Sequence, residues 1–202
     1  MSATCGSRND PRALAVGQQR PLDAALRACW QQLGISERLV RERRLPLFEE
    51  PPELALAESA ADGRRHLLTP AAAAAWSAMR AAAAADGIEI HIVSAHRSVE
   101  RQIEIIGHKL ESGQSIDQVL AVSAPPGCSE HHTGRAVDIG TADGRPLELE
   151  FADTPAFRWL CEHAARFGFR LSFPAGNRWG YDYEPWHWCF DAAAAAPRPA
   201  AE

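Results

Sequence analysis

The stretch from Ser129 to Asp138, with the sequence SEHHTGRAVD, places imidazoles and a carboxylate within ten residues of one another. A second stretch nearer the C-terminus, Glu184–His187 (EPWH), adds another imidazole and another carboxylate. Catalytic zinc sites usually combine three N or O ligands from the protein with a fourth position for water. A carboxylate close to that water can act as a general base. The two stretches contain this whole set, so a fold that unites them would build a catalytic zinc site.

The candidate ligands are His131, Asp138 and His187. Asp138 lies in a predicted strand over 135–139, whose apolar residues on either side of it share the opposite face. A buried carboxylate in that position needs a metal, a base or solvent as its partner. His187 alternates with two tryptophans in a predicted strand over 186–190. Each of the three alone would more often be an ordinary core residue, but their combination favours a metal site.

Two further residues offer catalytic chemistry without being assigned as ligands. Glu184 precedes Pro185, which restricts the preceding residue to extended geometry and so fixes the direction of its carboxylate. Arg97 follows a predicted strand over 88–95, and its guanidinium could stabilise the negative charge of a tetrahedral intermediate. A surface glutamate and a surface ion pair are the alternatives for these two residues. His132 is a competing imidazole, for which a contact with substrate or a place behind the ligands is favoured.

The cysteine content and the chain ends bear on the compartment. The chain has five cysteines, an odd number without a short-range pair, which favours free thiols in a reducing compartment. Cys128 and Cys189 could bind zinc chemically, but their spacing matches no structural zinc motif. The polar N-terminal segment does not resemble a secretory signal, so the expected location is cytoplasmic, or periplasmic if a leader is missing from this sequence.

Charge and hydropathy narrow the class of partner. The formal net charge is −5, and no basic cluster predicts nucleic-acid binding. No apolar run approaches the ~20 residues that a membrane-spanning helix needs. The composition is that of a globular protein with one main domain.

The pattern of predicted elements favours an α+β fold, because helices and strands do not alternate strictly. Helices are predicted at 21–33, 36–43, 70–86, 98–112, 116–122 and 155–168, and strands at 53–57, 88–95, 135–139, 169–173 and 186–190. The predicted organisation is a flexible tail (1–20), a helical arm (21–49), a main domain (50–191) and a disordered tail (192–202).

Three motifs in order resemble those of VanY-type D-alanyl-D-alanine carboxypeptidases. Ser94–Ser98 with Gln102 is similar to their Ser-x-x-Arg-Ser-x-x-x-Gln element. Ser129–Asp138 matches every fixed position of their first zinc motif, Ser-x-His-x-x-Gly-x-Ala-x-Asp, and Glu184-x-Trp186-His187 matches the second. The resemblance covers residues 50–191, and three motifs in the right order are far more specific than any one of them.

The resemblance implies a small α+β domain with an antiparallel sheet, flanked by helices, that holds one Zn²⁺. By matching position, His131, Asp138 and His187 would be the zinc ligands. Glu184 would be the general base.

The remaining roles also follow from the resemblance. Arg97 would be the oxyanion partner, and Ser129 and Gln102 would help to hold the polar end of the substrate. His96 departs from the family, which more often has an aromatic residue there, and Cys189 stands where a basic residue is common. These departures concern the lining of the pocket and therefore the substrate, and leave the metal chemistry unchanged.

The function that the resemblance implies is that of a zinc carboxypeptidase acting on peptidoglycan peptides or muropeptides. Its leaving group would be a C-terminal D-amino acid, with D-alanine expected. Two alternatives stay open: a peptidoglycan endopeptidase that cuts inside the stem peptide, and a non-catalytic zinc-bearing module that binds the cell wall or a partner. The sequence does not decide between a D,D and an L,D bond, and it gives no function for the helical arm.

Overall fold

The computed structural model describes residues 22–193. The predicted tail over 1–20 lies outside these residues, as does most of the predicted tail over 192–202. Within the described part of the chain, no helix has both the length and the apolarity needed to cross a membrane.

Six α-helices of the described part of the chain lie close to their predicted positions. They are α1 (Ala24–Gln32), α2 (Glu37–Glu42), α3 (Pro70–Ala85), α4 (Val99–Glu111), α5 (Ile116–Val122) and α6 (Pro155–His163). Side-chain caps fix several of their starts: Asp23 Oδ1 accepts from the N–H of Leu26 at 2.8 Å, and Ser98 Oγ accepts from the N–H of Arg101 at 3.0 Å. The caps satisfy N–H groups that would otherwise lack a partner inside the helix.

Within residues 22–193, six strands form two antiparallel sheets, which confirms the predicted α+β class. They are β1 (Ala55–Ser59), β2 (Arg65–Leu68), β3 (His91–Ser94), β4 (Ala136–Gly140), β5 (Phe169–Leu171) and β6 (His187–Phe190). The main sheet has the order β3-β4-β6-β5, and β1 pairs with β2 in a separate hairpin. Asp138 in β4 is paired with Ser94 on one side and with His187 on the other. The sheet register therefore brings two of the predicted ligands next to each other.

Two predictions of local structure were wrong in detail, and one strand was missed. The strand over 88–95 is shorter, because only His91–Ser94 pairs with β4. The helix predicted over 155–168 ends at His163 and continues as a 3₁₀ turn to Gly168, whose positive φ of 78° stops it. β2 was not predicted, because its sequence Arg-His-Leu-Leu neither alternates cleanly nor contains β-branched residues.

The described residues form two separate hydrophobic cores. The first packs α3 and α6 against one face of the main sheet, through residues such as Trp76, Leu160 and Trp188. The second joins α1 and α2 to α4 and α5, and Trp30 Nε1 in α1 donates to the carbonyl of Pro126 at 2.9 Å. The helices of the predicted arm thus share a core with the main domain. The division at residue 50 stays a prediction.

Candidate metal centre and active site

The three predicted ligands meet at one point. One ligand atom from each of His131, Asp138 and His187 lies within 4.8 Å of the other two, and all three side chains are buried. This is the one group of at least three such residues that could hold a metal among residues 22–193. Two imidazole nitrogens and a carboxylate oxygen form a donor set that suits Zn²⁺.

A single 3₁₀ turn over Glu130–Thr133 holds His131. Ser129 Oγ caps it by accepting from the N–H of His131 at 3.3 Å. Gly134 ends it with a φ of 63°, and a Cβ atom there would approach Leu54 Cδ2 to 2.8 Å. The fixed serine and glycine of the motif therefore have local structural reasons.

The two imidazoles present different nitrogens to the metal position. His131 Nδ1 lies 2.8 Å from the carbonyl oxygen of Ala95, which can only accept, so Nδ1 carries the proton and Nε2 faces Asp138 Oδ2 at 3.2 Å. His187 places Nδ1 3.0 Å from Asp138 Oδ1 and Nε2 3.0 Å from Glu130 Oε2. The free ligand positions are accordingly His131 Nε2 and His187 Nδ1.

Sequence reasoning did not identify Glu130, which is 5% exposed and lies behind His187. A carboxylate that accepts from the outer nitrogen of a metal-binding histidine fixes the ring orientation and its basicity. Burial alone would raise the pKa of Glu130, but the hydrogen bond to His187 and the charge of Arg170 outweigh it and bring the pKa to about 2. One signal in the sequence could have identified Glu130. It stands between the serine and the histidine of the first zinc motif, and a motif that builds a metal site must be buried.

Metal binding at this site should depend on pH, because His187 is protonated without the metal. Burial lowers the pKa of His187, but its hydrogen bonds to Asp138 and Glu130 outweigh burial and raise it to about 10. A metal at Nδ1 must displace one proton below that pH. We expect the zinc dissociation constant to fall about tenfold per pH unit between about pH 6 and 8, measured by competition with a chelator of known proton affinity. An affinity that does not change with pH would contradict this assignment.

Glu184 lies beside the metal group, in the segment that leads into β6. Its Oε2 is 3.8 Å from His187 Nδ1, and its side chain is 15% exposed. Its backbone N–H donates to the carbonyl of Phe173 at 3.1 Å, and its carbonyl accepts from the N–H of His187 at 3.1 Å. Burial is the largest influence on its carboxyl group and raises the pKa to about 7. A base with this pKa is matched to proton transfer at neutral pH.

Arg97 is held against the ligand turn by its backbone and by Gln102. Its N–H donates to the carbonyl of His131 at 3.2 Å, and its Nη1 donates to Gln102 Oε1 at 2.9 Å. Gln102 is fully buried, and its Nε2 donates to the carbonyl of Ala124 at 2.7 Å. The structure thus places Gln102 behind Arg97, where it orients the guanidinium. Its predicted contact with substrate stays a prediction, as does that of Ser129.

His132 lies outside the metal group. Its Nε2 accepts from the N–H of Gly127 at 3.1 Å, so Nδ1 donates to the carbonyl of Arg97 at 2.6 Å. Burial lowers the pKa of His132 to about 4, so the ring is neutral near pH 7. Cys128 and Cys189 are buried free thiols outside the metal group.

The fold and the site together define a class: a small α+β protein with a buried His–Asp–His metal centre and a carboxylate of raised pKa beside it. Residues 65–193 match the family model described as VanY: D-alanyl-D-alanine carboxypeptidase. The chain belongs to this family.

Several relatives agree with that assignment. A D-alanyl-D-alanine carboxypeptidase of Enterococcus faecalis is 35% identical over 127 residues, covering 58% of this chain and 46% of the relative. The solved structure of the LdcB LD-carboxypeptidase covers 72% of both chains with a TM-score of 0.64 and 30% identity. A VanY D,D-pentapeptidase variant solved in complex with Zn(II) covers 71% of this chain and 83% of its own, with a TM-score of 0.54 and 28% identity. The chain spans less than half the length of the E. faecalis protein.

Proposed function

We propose that the protein is a zinc-dependent carboxypeptidase that releases a C-terminal D-amino acid, with D-alanine expected, from peptidoglycan stem peptides. The observation that carries this proposal is the position of Glu184, a carboxylate with a raised pKa beside three convergent metal ligands. A module that only binds would need no base there. That contrast favours an enzyme over the non-catalytic alternative.

His131, Asp138 and His187 would hold the metal, with His131 oriented by the carbonyl of Ala95 and His187 by Glu130. Zn²⁺ bound there would polarise a carbonyl group and lower the pKa of water towards ~7. The chain contributes the proton transfers. Glu184 accepts a proton from the attacking water and later donates it to the leaving amine.

Arg97 supplies a hydrogen-bond donor for the oxygen on which negative charge develops. Gln102 fixes its guanidinium in advance, so the donor is already oriented when the charge appears. Burial lowers the pKa of Arg97, whereas the negative charges of Asp138 and Glu184 raise it. The three side chains are therefore close enough to influence one another electrostatically. The guanidinium remains charged at neutral pH.

A second cation, Lys109, favours the carboxypeptidase over the endopeptidase alternative. It is the only lysine of the chain and lies half-buried on α4, on the same helix face as Gln102. Its Nζ donates to Ser123 Oγ at 2.8 Å, next to Ala124, which accepts from Gln102. Burial lowers the pKa of Lys109 most, and the charge of Arg97 lowers it further. A cation near Arg97, in addition to Arg97 itself, suits a free terminal carboxylate better than a continuing peptide chain.

Defined muropeptides test the proposal directly. Mass spectrometry after incubation with the zinc-loaded protein should find a single free C-terminal D-amino acid, and no cleavage of the matching all-L peptide. Two peptide products would establish the endopeptidase instead. Stems that end in two D-residues and stems that end in one, incubated in parallel, decide between the D,D and the L,D bond.

The Lys109 assignment has its own expected result. Lys109→Met keeps the length of the side chain but removes its charge, so we expect KM for a peptide with a free C-terminus to rise about tenfold, with a smaller change in kcat. Lys109→Arg keeps the charge and serves as the matched control. An equal KM for Lys109→Met and wild type would remove this residue from substrate binding.

We further propose a reducing compartment, because Cys29, Cys128 and Cys189 are free thiols. Fractionation of cells that make the native protein tests this location.

A further inference from the structure

Arg43, at the C-terminal end of α2, reaches the loop between β5 and β6 (residues 172–186). Its Nε donates to the carbonyl of Trp179, and its Nη1 donates to the carbonyl of Leu120 at 2.9 Å. Gly180 follows with a φ of 67°, and a Cβ atom there would lie 3.4 Å from Arg43 Nε. Gly180 thus lets the loop turn at the point where the carbonyl of Trp179 faces the guanidinium of Arg43.

The same guanidinium begins a series of side chains in ring contact that ends on the proposed ligand His187. Arg43 lies over the ring of Tyr181, 4.4 Å from its centroid. The Tyr181 ring meets Phe173 edge-on at a centroid distance of 5.0 Å. Phe173 then lies against the imidazole of His187, with centroids 4.6 Å apart and an interplanar angle of 32°. Arg43 is therefore connected to His187 through two aromatic rings in contact.

The loop also determines where Glu184 lies. The carbonyl of Phe173 accepts from the N–H of Glu184, so a shift of Phe173 moves the proposed base as well as the ligand ring. Asn177 ties the loop together, since its Oδ1 accepts from the N–H groups of Trp179 and Tyr181. The loop is thus tied internally, and the hydrogen bond from Arg43 to the carbonyl of Trp179 joins it to the end of α2.

We propose that Arg43 is a positioning residue of the active site, which sets the places of His187 and Glu184 through the Tyr181–Phe173 stack. Arg43 lies outside the residues 65–193 that match the family model, in the helical arm, to which sequence analysis assigns no function. The arm then belongs to the catalytic unit. The effect on turnover rests on the proposed function, whereas the effect on metal affinity does not.

The test compares Arg43→Ala with Arg38→Ala. Arg38 is on the same helix, has a side chain that is 79% exposed, and pairs only with Glu42 in the described structure. Direct partners of metal ligands typically contribute about 10–100-fold to metal affinity or activity, and Arg43 acts two contacts further away, behind Phe173 and Tyr181. We expect Arg43→Ala to weaken zinc binding by about 3- to 10-fold and to lower kcat similarly, with KM nearly unchanged. Arg38→Ala should match wild type.

Two further variants separate positioning from plain stability. Arg43→Lys keeps the charge and one donor, so it should recover part of the zinc affinity. Tyr181→Leu removes the ring but leaves the hydrogen bonds from the Arg43 side chain to the carbonyls of Trp179 and Leu120. It should therefore reproduce the loss of zinc affinity even if Arg43→Ala does not fold. A zinc affinity and kcat equal to those of Arg38→Ala, in folded Arg43→Ala or Tyr181→Leu protein, would overturn the proposal. If wild type hydrolyses no peptide, the proposed function fails, and zinc affinity alone still decides the role of Arg43.

Discussion

Glu184→Gln is expected to lose nearly all peptide hydrolysis while it keeps its fold and its zinc. Glutamine has the size and hydrogen-bonding capacity of glutamate, but it cannot accept a proton at neutral pH. A positioned general base contributes typically about 10²–10⁴-fold to turnover, so we expect a loss in that range. Zinc binding should persist, because Glu184 is absent from the His131–Asp138–His187 group.

Zinc content, melting temperature and peptide hydrolysis should be measured on the same preparations of this variant. Glu89→Gln is the matched control, since Glu89 is an exposed glutamate away from the site. Hydrolysis by Glu184→Gln at the wild-type rate would show that Glu184 is not the base. A wild-type protein that binds muropeptides without cleaving them would instead support the non-catalytic module.

Asp138→Asn is expected to lose zinc. Asp138 is the only carboxylate of the three-residue group, and its two oxygens lie 3.2 Å from His131 Nε2 and 3.0 Å from His187 Nδ1. Asparagine keeps the shape but removes the negative charge that balances the metal and its ligands. Because Asp138 would bind the metal directly, we expect the affinity to fall by more than the ~10–100-fold that an outer partner contributes.

The measurement for Asp138→Asn is residual zinc after dialysis against a chelator, with circular dichroism to verify the fold. Asp143→Asn is the control, because Asp143 is exposed just beyond the end of β4. Full zinc occupancy in folded Asp138→Asn protein would exclude Asp138 from the ligand set.

That His131, Asp138 and His187 come together was predictable from the sequence, because their fixed spacing within strands and motifs carries that information. A strand places alternate residues on opposite faces, so Asp138 had to point away from its apolar neighbours, and only pairing with a second strand could bring His187 beside it. Glu130 was missed because a glutamate in a polar turn is ordinarily exposed. Its burial depends on distant residues that pack around it, His187 and Arg170, which no local pattern reveals.

The contacts of Gln102 illustrate a second limit. Its motif position gave the right neighbourhood, but the direction of its amide depends on the carbonyl of Ala124, from a segment whose path is set by tertiary packing. The N-terminal helical arm shows the same limit, because its local structure was predictable and its long-range contacts were not. Its helices were predictable from spacing and caps, whereas the reach of Arg43 to Trp179 depends on a loop far along the chain.

The single lysine has a practical consequence for chemical labelling. Apart from its α-amino group, the chain carries one aliphatic amine, that of Lys109, whose pKa the charge of Arg97 lowers. Because burial lowers the pKa of Lys109, a larger fraction of it is the neutral, nucleophilic amine than for an exposed lysine. An amine-reactive reagent would therefore place one reporter, or one covalent group, on Lys109 in the electrostatic neighbourhood of Arg97.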